Sequence, residues 1–519
     1  MTASFVEPGS GRVRPGHPAV APLEQLVAGA GDDVGRLLAT LREHGIPAVA
    51  VADLVAGMAT TAEWGEAVAR SRHKGERLRR ATERAEAALA ALGDQVALPG
   101  SSLGPAWSSD VDMLIRAAAV EEAEAALLAA GFLDLNPLLA RLGRETADVR
   151  RFGAVAEGEV LGSVELCLRL HDDGPLAERA IDRAVRPAPG ALPRLTPPDR
   201  ALRRCGKVAA RRHVRVRDVL ELAALQEEGA DLSHTGVTRV AARRCAELSD
   251  ELAGTRSGRG RPAASPVWVK ARARGVRRKA RRALRSGRLV VAFTGIDGSG
   301  KSTQAALLTE SLDRVSIPSR AGWARIGFSG LPVLSLAARL GQRVLPPGSH
   351  SAQRARAGGV AGGSTPLTRR GALGWSWALA VTLAYLRNAR RAARGPRGTV
   401  IVFDRALPDA LVDLDQGFGG ALDLRLQRRL VARLSPRADV VFHLRLPGAA
   451  AHARKADMFV PEVLDRYARR YEAVLQTLPG AIVLEAERPA DRLAAEVLST
   501  VAAGIDRPSR RAPVVAIPG

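Results

Sequence analysis

The stretch Gly295-Ile296-Asp297-Gly298-Ser299-Gly300-Lys301-Ser302 combines three things needed to grip a phosphate chain. Its glycines let the backbone wrap tightly and turn N–H groups toward an anion. Lys301 offers a positive charge on a long arm, and Ser302 offers a hydroxyl suited to a hard divalent cation. The flanks agree: Val290-Val-Ala-Phe293 is a strand-like apolar run, and Thr303-Gln-Ala-Ala-Leu-Leu308 continues as a helix whose N-terminus points at negative charge. Strand, glycine-rich turn and helix together make the Walker A pattern and predict binding of a nucleoside triphosphate.

Further along, Thr399-Val-Ile-Val-Phe403 reads as a buried strand that ends in Asp404-Arg405. A carboxylate at the carboxyl end of a core strand lies where open α/β sheets bind ligands, so Asp404 can orient Mg2+ or an acceptor hydroxyl. Arg405 beside it can bind phosphate. After the strand-like Asp439–Arg445 comes the basic segment His452-Ala-Arg454-Lys455, leading into a helix with Arg466, Arg469, Arg470 and Tyr471. Basic residues on a cover over the phosphates neutralise the transferred group and exclude water. A solvated face remains an open reading for the three helical arginines, and a core position for Tyr471, Trp375 and Trp377.

This order of motifs resembles the thymidylate kinase family of P-loop nucleoside monophosphate kinases, over about residues 288–506. The resemblance implies ATP and Mg2+ as cofactors and a phosphorylated small molecule or nucleotide as acceptor. It places residues 295–303 (Gly295, Ile296, Asp297, Gly298, Ser299, Gly300, Lys301, Ser302 and Thr303) at the ATP phosphates. Ser302 and Asp404 would hold the metal, Asp297 would face the acceptor, Asp404-Arg405 would sit at the phosphate junction, and Arg454 would belong to the lid. The sequence departs from the family's usual pattern at Ala406, where a Tyr is common, and at Thr294, where a Glu often precedes the loop. Arg325, in Gly322-Trp-Ala-Arg325, stands where an acceptor-binding segment is expected. The acceptor need not be dTMP, since a divergent branch of thymidylate kinase-like proteins is associated with surface-glycan genes.

A second constellation lies upstream: Gly100-Ser101 after a short strand, then Asp110-Val-Asp112 opening another, then Glu165 within Ser163–Leu170. A Gly-Ser turn can hold a triphosphate, and residues two apart on a strand share a face. Two carboxylates on one face, completed by a third from a neighbouring strand, can bind a pair of divalent cations. With the helical run around Arg211–Leu222, this part resembles small bacterial nucleotidyltransferase-like proteins over about residues 30–250. Gly100 and Ser101 would then bind nucleotide, and Asp110, Asp112 and Glu165 would bind metal. A degenerate, non-catalytic domain is the alternative.

The elements that must position these groups are legible as blocks. Residues 1–22 read as a disordered Gly/Pro/Arg-rich tail, 23–254 as an α+β domain with a helical half, 255–287 as a basic linker, 288–508 as the P-loop domain and 509–519 as a second tail. Helices are expected over Val34–His44, Lys74–Leu92, Val120–Ala130, Pro198–Arg211, Val216–Gln226 and Gly236–Leu252. In the second domain the strands Leu289–Gly295, Thr399–Phe403, Ala438–Leu446 and Ala481–Glu485 alternate with helices, which predicts a parallel α/β sheet with helices on both faces. Residues 341–371 look like a mobile insertion.

Composition bounds the rest. The 519 residues carry 77 Lys+Arg against 54 Asp+Glu, a net charge of +23, so phosphates, nucleic acid or an anionic surface are the expected partners. Thirteen of those cations fall in 255–288 with no acidic residue, on an amphipathic pattern read either as a solvated tether or as such a contact. Cys167, Cys205 and Cys245 are widely spaced and form no CxxC, which argues against a disulfide framework or a zinc site and fits a reducing, cytoplasmic setting. The most apolar stretch, Ala372–Leu386, is too short to span a bilayer and reads as a buried helix. A homodimer is compatible with all of this. The alternatives are a nucleotide-binding regulatory protein without acceptor chemistry and an enzyme that modifies nucleic acid or a glycan precursor.

Overall fold

The computed structural model describes residues 5–6, 12–30, 33–55, 61–170, 177–210, 213–232, 236–252, 287–323, 371–418, 422–455, 459–477 and 480–504. The basic linker over 255–286, the insertion over 341–370, Arg325 and the C-terminal 509–519 lie outside the described residues. Contacts divide the chain into two units. One holds residues up to 284 except 137–144, plus 314–316; the other holds 137–144, 285–313 and the remainder.

The first unit is built on a five-stranded sheet: β1 (Val96–Ala97), β2 (Val111–Ile115), β3 (Leu133–Asp134), β4 (Val149–Ala156) and β5 (Glu159–Cys167), in the order β1-β2-β5-β4-β3. Strands β2 and β5 run parallel, and the other pairs are antiparallel. The strand period of two sorts the faces. Val111, Met113, Ile115, Val164 and Leu166 enter one core. Helix α1 (Ala62–Leu89) packs against that core through Leu78, Ala81, Ala85 and Leu89, which recur at helical spacing. Thr61 caps this helix by accepting the Trp64 N–H. The opposite face carries Asp112 and Glu165. Helices α2 (Pro197–Ala210), α3 (Val216–Glu227) and α4 (Gly236–Leu252) form the helical half.

The described part of 1–22 is not a disordered tail. Phe5, Val6, Val13 and Val20 are buried in a core shared with Leu37, Leu41, Trp107 and Leu220. Four apolar side chains spread among Gly, Pro and Arg suffice to seat the segment, although no periodicity announces it.

The second unit is a sheet of five parallel strands: β6 (Leu289–Thr294), β7 (Ser319–Trp323), β8 (Val400–Asp404), β9 (Val440–Arg445) and β10 (Ala481–Glu485), in the order β10-β9-β6-β8-β7. The edge strand β7, with its polar Ser-Arg-Ala-Gly-Trp sequence, was not foreseen. Helices α5 (Lys301–Arg314), α6 (Gly371–Ala393), α7 (Leu407–Phe418), α8 (Arg425–Leu434), α9 (Gly448–Arg454), α10 (Pro461–Gln476) and α11 (Ala490–Ala502) accompany the strands. The apolar stretch 372–386 lies on α6, with Ala378, Val381, Tyr385 and Leu386 in the core. Trp375 and Trp377 are only half-buried. Among the described residues no helix is long and apolar enough to cross a membrane.

Candidate functional site

Strand β6 lies at the centre of the second sheet, so its carboxyl end opens between β8 and β9. The glycine-rich turn leaves from that end. Gly298 and Gly300 have φ of 87° and 93°, a left-handed region that side chains rarely adopt. Gly298 also needs its missing side chain, because a Cβ would stand 2.6 Å from the Ala451 carbonyl oxygen on α9. The Ser299 N–H closes the turn on the Ile296 carbonyl at 3.2 Å, and the Gln304 N–H bonds Gly300 O to start α5. Phe293 stacks on Phe442 of β9 at 5.5 Å, a contact worth about 0.5–1.5 kcal/mol that fixes the strand end beneath the turn.

Lys301 is the first residue of α5, and its side chain is 5% exposed. Its ammonium donates to the Gly295 and Ile296 carbonyls, both at 2.7 Å, and stands 3.8 Å from Asp297. The expected reach toward outer phosphates is therefore not the conformation seen; the buried ammonium takes the loop's own acceptors. Burial lowers its pKa, and the charge of Arg405 lowers it further. Ile296 is buried, whereas Ser302 and Thr303 are exposed on the first turn of α5. Two hydroxyls at the loop, Thr294 Oγ1 and Ser299 Oγ, are buried without a hydrogen-bond partner among the described residues.

The Ser302 hydroxyl donates to Asp404 Oδ2 at 2.5 Å, joining residues 102 positions apart. Asp404 Oδ1 is buried and has no hydrogen-bond partner among the described residues. A hydroxyl beside a carboxylate with one oxygen unspent is a hard-oxygen donor pair, which fits Mg2+. The next residue, Arg405, holds φ of 86°, a strain of about 1–3 kcal/mol for a side chain without glycine's freedom. Its guanidinium pairs with Asp297, and its backbone N–H bonds Phe293 O at 3.2 Å. Burial opposes its charge, but Asp297, Asp409 and Asp413 more than offset this and raise its pKa.

Asp409, on the first turn of α7, is 1% exposed. One of its oxygens accepts the Ala406 N–H at 3.0 Å, and the other accepts the Tyr471 hydroxyl at 2.9 Å. Burial raises its pKa against the pull of Lys301 and Arg405. Asp409 had no assigned role in the sequence reading, although an acid three residues after Ala406 is a helix-start signal. Tyr471 is 3% exposed, so it is a core residue. Arg466 and Arg469 are exposed and Arg470 half-buried. Arg454 ends α9, whose Ala451 backs onto Gly298, but its guanidinium donates to the Ala486 carbonyl at 2.9 Å. The structure thus brings Lys301, Ser302, Asp297, Asp404 and Arg405 together and leaves the Arg454 side chain turned to β10's end.

In the first unit, β2 and β5 place Asp112 directly opposite Glu165. Ligand atoms of Asp112, Glu165 and Cys167 lie within 4.8 Å of one another. Asp110 precedes β2 and belongs to the same electrostatic group, where burial and the charge of Asp112 raise its pKa. Burial and Asp112 likewise push Glu165 up to about 7. The sequence missed the cations among them. Arg203 and Lys207 of α2 meet Asp112 at 2.6 and 2.9 Å, and Arg151 of β4 pairs with Glu165. Burial disfavours the Asp112 charge, yet Arg203 and Lys207 hold its pKa far below the usual range. Their i, i+4 spacing on a helix was the available signal. Gly100 has φ of 70°, and the Ser101 hydroxyl accepts the Leu103 N–H at 3.3 Å, so that turn is ordered by its own side chain.

No protein-family model matches the chain. A solved structure of deoxyadenosine kinase from M. mycoides, with products dCMP and a flexible dCDP bound, aligns at 15% identity. It covers 42% of this chain and 100% of its own, with a TM-score of 0.26, too low to support an argument. A curated thymidylate kinase from Desulforudis audaxviator (strain MP104C) is 30% identical over 237 residues, covering 42% of this chain and 93% of that protein. With a thymidylate kinase matched over nearly its whole length, the chain belongs, through a kinase-like region, to the thymidylate kinase family.

Proposed function

We propose that the second unit transfers the terminal phosphoryl group of ATP to a nucleoside monophosphate or a related phosphorylated acceptor, as a cytoplasmic enzyme. The observation that carries this reading is the meeting of Ser302 and Asp404 at the mouth of a glycine-rich turn and a helix N-terminus. Backbone N–H groups of residues 298–302 would receive the phosphates. Lys301 would exchange the Gly295 and Ile296 carbonyls for phosphate oxygens and neutralise charge as it develops. Mg2+, when held by Ser302 and Asp404, supplies charge neutralisation on the phosphates. Arg405 would hold the acceptor phosphate, and Asp297 would orient both Arg405 and the acceptor. The test is ADP formation by the full chain with ATP, Mg2+ and a panel of nucleoside monophosphates and phosphosugars. Acceptor-dependent ADP supports the reading. Tight ATP binding without it supports a nucleotide-responsive regulatory protein.

A second reading concerns the first unit, which we infer to be nucleotidyltransferase-like. It rests on the convergence of Asp110, Asp112 and Glu165 opposite Arg151, Arg203 and Lys207. Metal-dependent transfer of a nucleotidyl group by the Lys301→Met variant would support it, and its absence would favour a binding domain that has lost the chemistry.

A further inference from the structure

Arg405 occupies a backbone conformation that persists only where its neighbours impose it. On the strand side the Phe293 carbonyl and Asp297 hold it. On the other side the restraint runs through Ala406, whose N–H is bound by Asp409. The second oxygen of that carboxylate takes the hydroxyl of Tyr471, 62 residues away on α10. Helix α10 follows α9 and its Arg454 in the chain. These two helices are joined by a bond from the Gly448 N–H to Asp465 at 2.7 Å, and Gly448 tolerates no Cβ beneath Pro461 and Asp465. Asp409 is thus a buried carboxylate with one oxygen committed to the phosphate-side turn and one to the helix pair that carries the basic segment.

We propose that Asp409 and Tyr471 are positioning residues that tie the Arg454-bearing helix pair to the backbone of Arg405, so that the covering segment and the acceptor-side arginine adopt their working positions together. The inference rests on the phosphoryl-transfer reading for its kinetic consequence, but not for the link itself. Neither residue touches the phosphates; each acts through Ala406 and Arg405. Movement of α9 and α10 over the site would reach Ala406 and Arg405 through the Tyr471–Asp409 hydrogen bond. Losing it would free Arg405 to relax toward an unstrained conformation and misplace its guanidinium.

The test uses the full chain with Tyr471→Phe, Asp409→Asn, Asp409→Ala and the double variant Tyr471→Phe/Asp409→Ala. Hydrogen exchange is read at amides 405–410, and KM is read separately for acceptor and ATP. Tyr471→Phe keeps the ring against His443, so packing is retained. It should raise exchange at 405–410 roughly tenfold, the loss of one hydrogen bond to a charged group. The acceptor KM should rise by a similar factor while the ATP KM stays within about twofold. Asp409→Asn, which can still accept the Ala406 N–H at Oδ1 and donate from Nδ2 to the Tyr471 oxygen, should recover much of the acceptor KM lost in Asp409→Ala. The double variant should be no worse than Asp409→Ala. Unchanged exchange at 405–410 in Tyr471→Phe, or additive effects in the double variant, would overturn the proposal. A wild-type chain with no acceptor-dependent turnover would refute the phosphoryl-transfer reading alone, because the exchange measurement still decides the link.

Discussion

Replacing Lys301 by Met should nearly abolish phosphoryl transfer while leaving the fold intact. The side chain is 5% exposed and makes two bonds of 2.7 Å to loop carbonyls. Methionine fills most of the same space but leaves those two carbonyls unpaired, a cost of about 1–3 kcal/mol each. Against this, the native state no longer holds a desolvated ammonium, whose burial in real proteins costs several kcal/mol. The two effects oppose each other, so stability should stay within about 2 kcal/mol of wild type. Catalysis has no such offset. Two charge-assisted bonds to phosphate, each worth about 1.5–3 kcal/mol, translate to a loss of roughly 10²–10⁴ in kcat/KM. Urea unfolding gives the first quantity, and coupled ADP release with a responsive acceptor gives the second. Turnover within tenfold of wild type, in a folded variant, would refute the assignment of Lys301 to the transferred phosphate.

Other outcomes follow from the same geometry. Gly298→Ala forces a Cβ at positive φ to within 2.6 Å of Ala451 O, so it should cost at least about 1–2 kcal/mol in urea unfolding and weaken ATP binding by calorimetry. His443 is kept neutral by burial, helped by Lys301 and Arg445, with its pKa lowered from 6.5 to about 4. The native state resists the proton that the unfolded chain accepts, so this contribution is full above pH 6.5 and is lost as pH falls toward 4. The total is about 3 kcal/mol, and His443→Gln should flatten that limb in unfolding curves at pH 7 and 4.5. Asp112→Asn leaves the 7%-exposed Arg203 side chain and Lys207 facing a neutral group. It should destabilise the first unit by about 3–5 kcal/mol in thermal unfolding and end any nucleotidyl transfer, with ATP turnover at the second unit unchanged.

The kinase-like site was legible because its demands are local. A turn that must wrap an anion needs glycine, and a strand that must present a carboxylate ends in one, so residues 295–302 and Phe403-Asp404-Arg405 stand out in any reading. The parallel sheet followed from apolar runs set between helical patterns. What escaped is what only long-range folding assembles. Strand β4 hid because Val149-Arg-Arg-Phe-Gly-Ala lacks alternation, its Arg151 turned to Glu165 instead of to solvent. Asp409 reads as an ordinary helix-start acid until Tyr471 arrives beside it. The cations around Asp112 sit on a helix some 90 residues downstream, where two basic residues in an Arg-rich chain carry no signal of their own. Phe5 and its neighbours show the reverse error, a composition of loops around a few side chains that nonetheless seat in a core.

The left-handed backbone of Arg405 has an evolutionary consequence. Glycine at this position would relax the chain and discard the guanidinium that pairs with Asp297; any other cationic residue would keep the charge together with the strain. Backbone strain of about 1–3 kcal/mol is therefore set against a largely buried ion pair whose loss costs about 3–5 kcal/mol. Selection for heat tolerance alone should keep Arg at 405 as long as Asp297 is its partner, and a drift to Gly or Asn there should be accompanied by loss of the acid at 297.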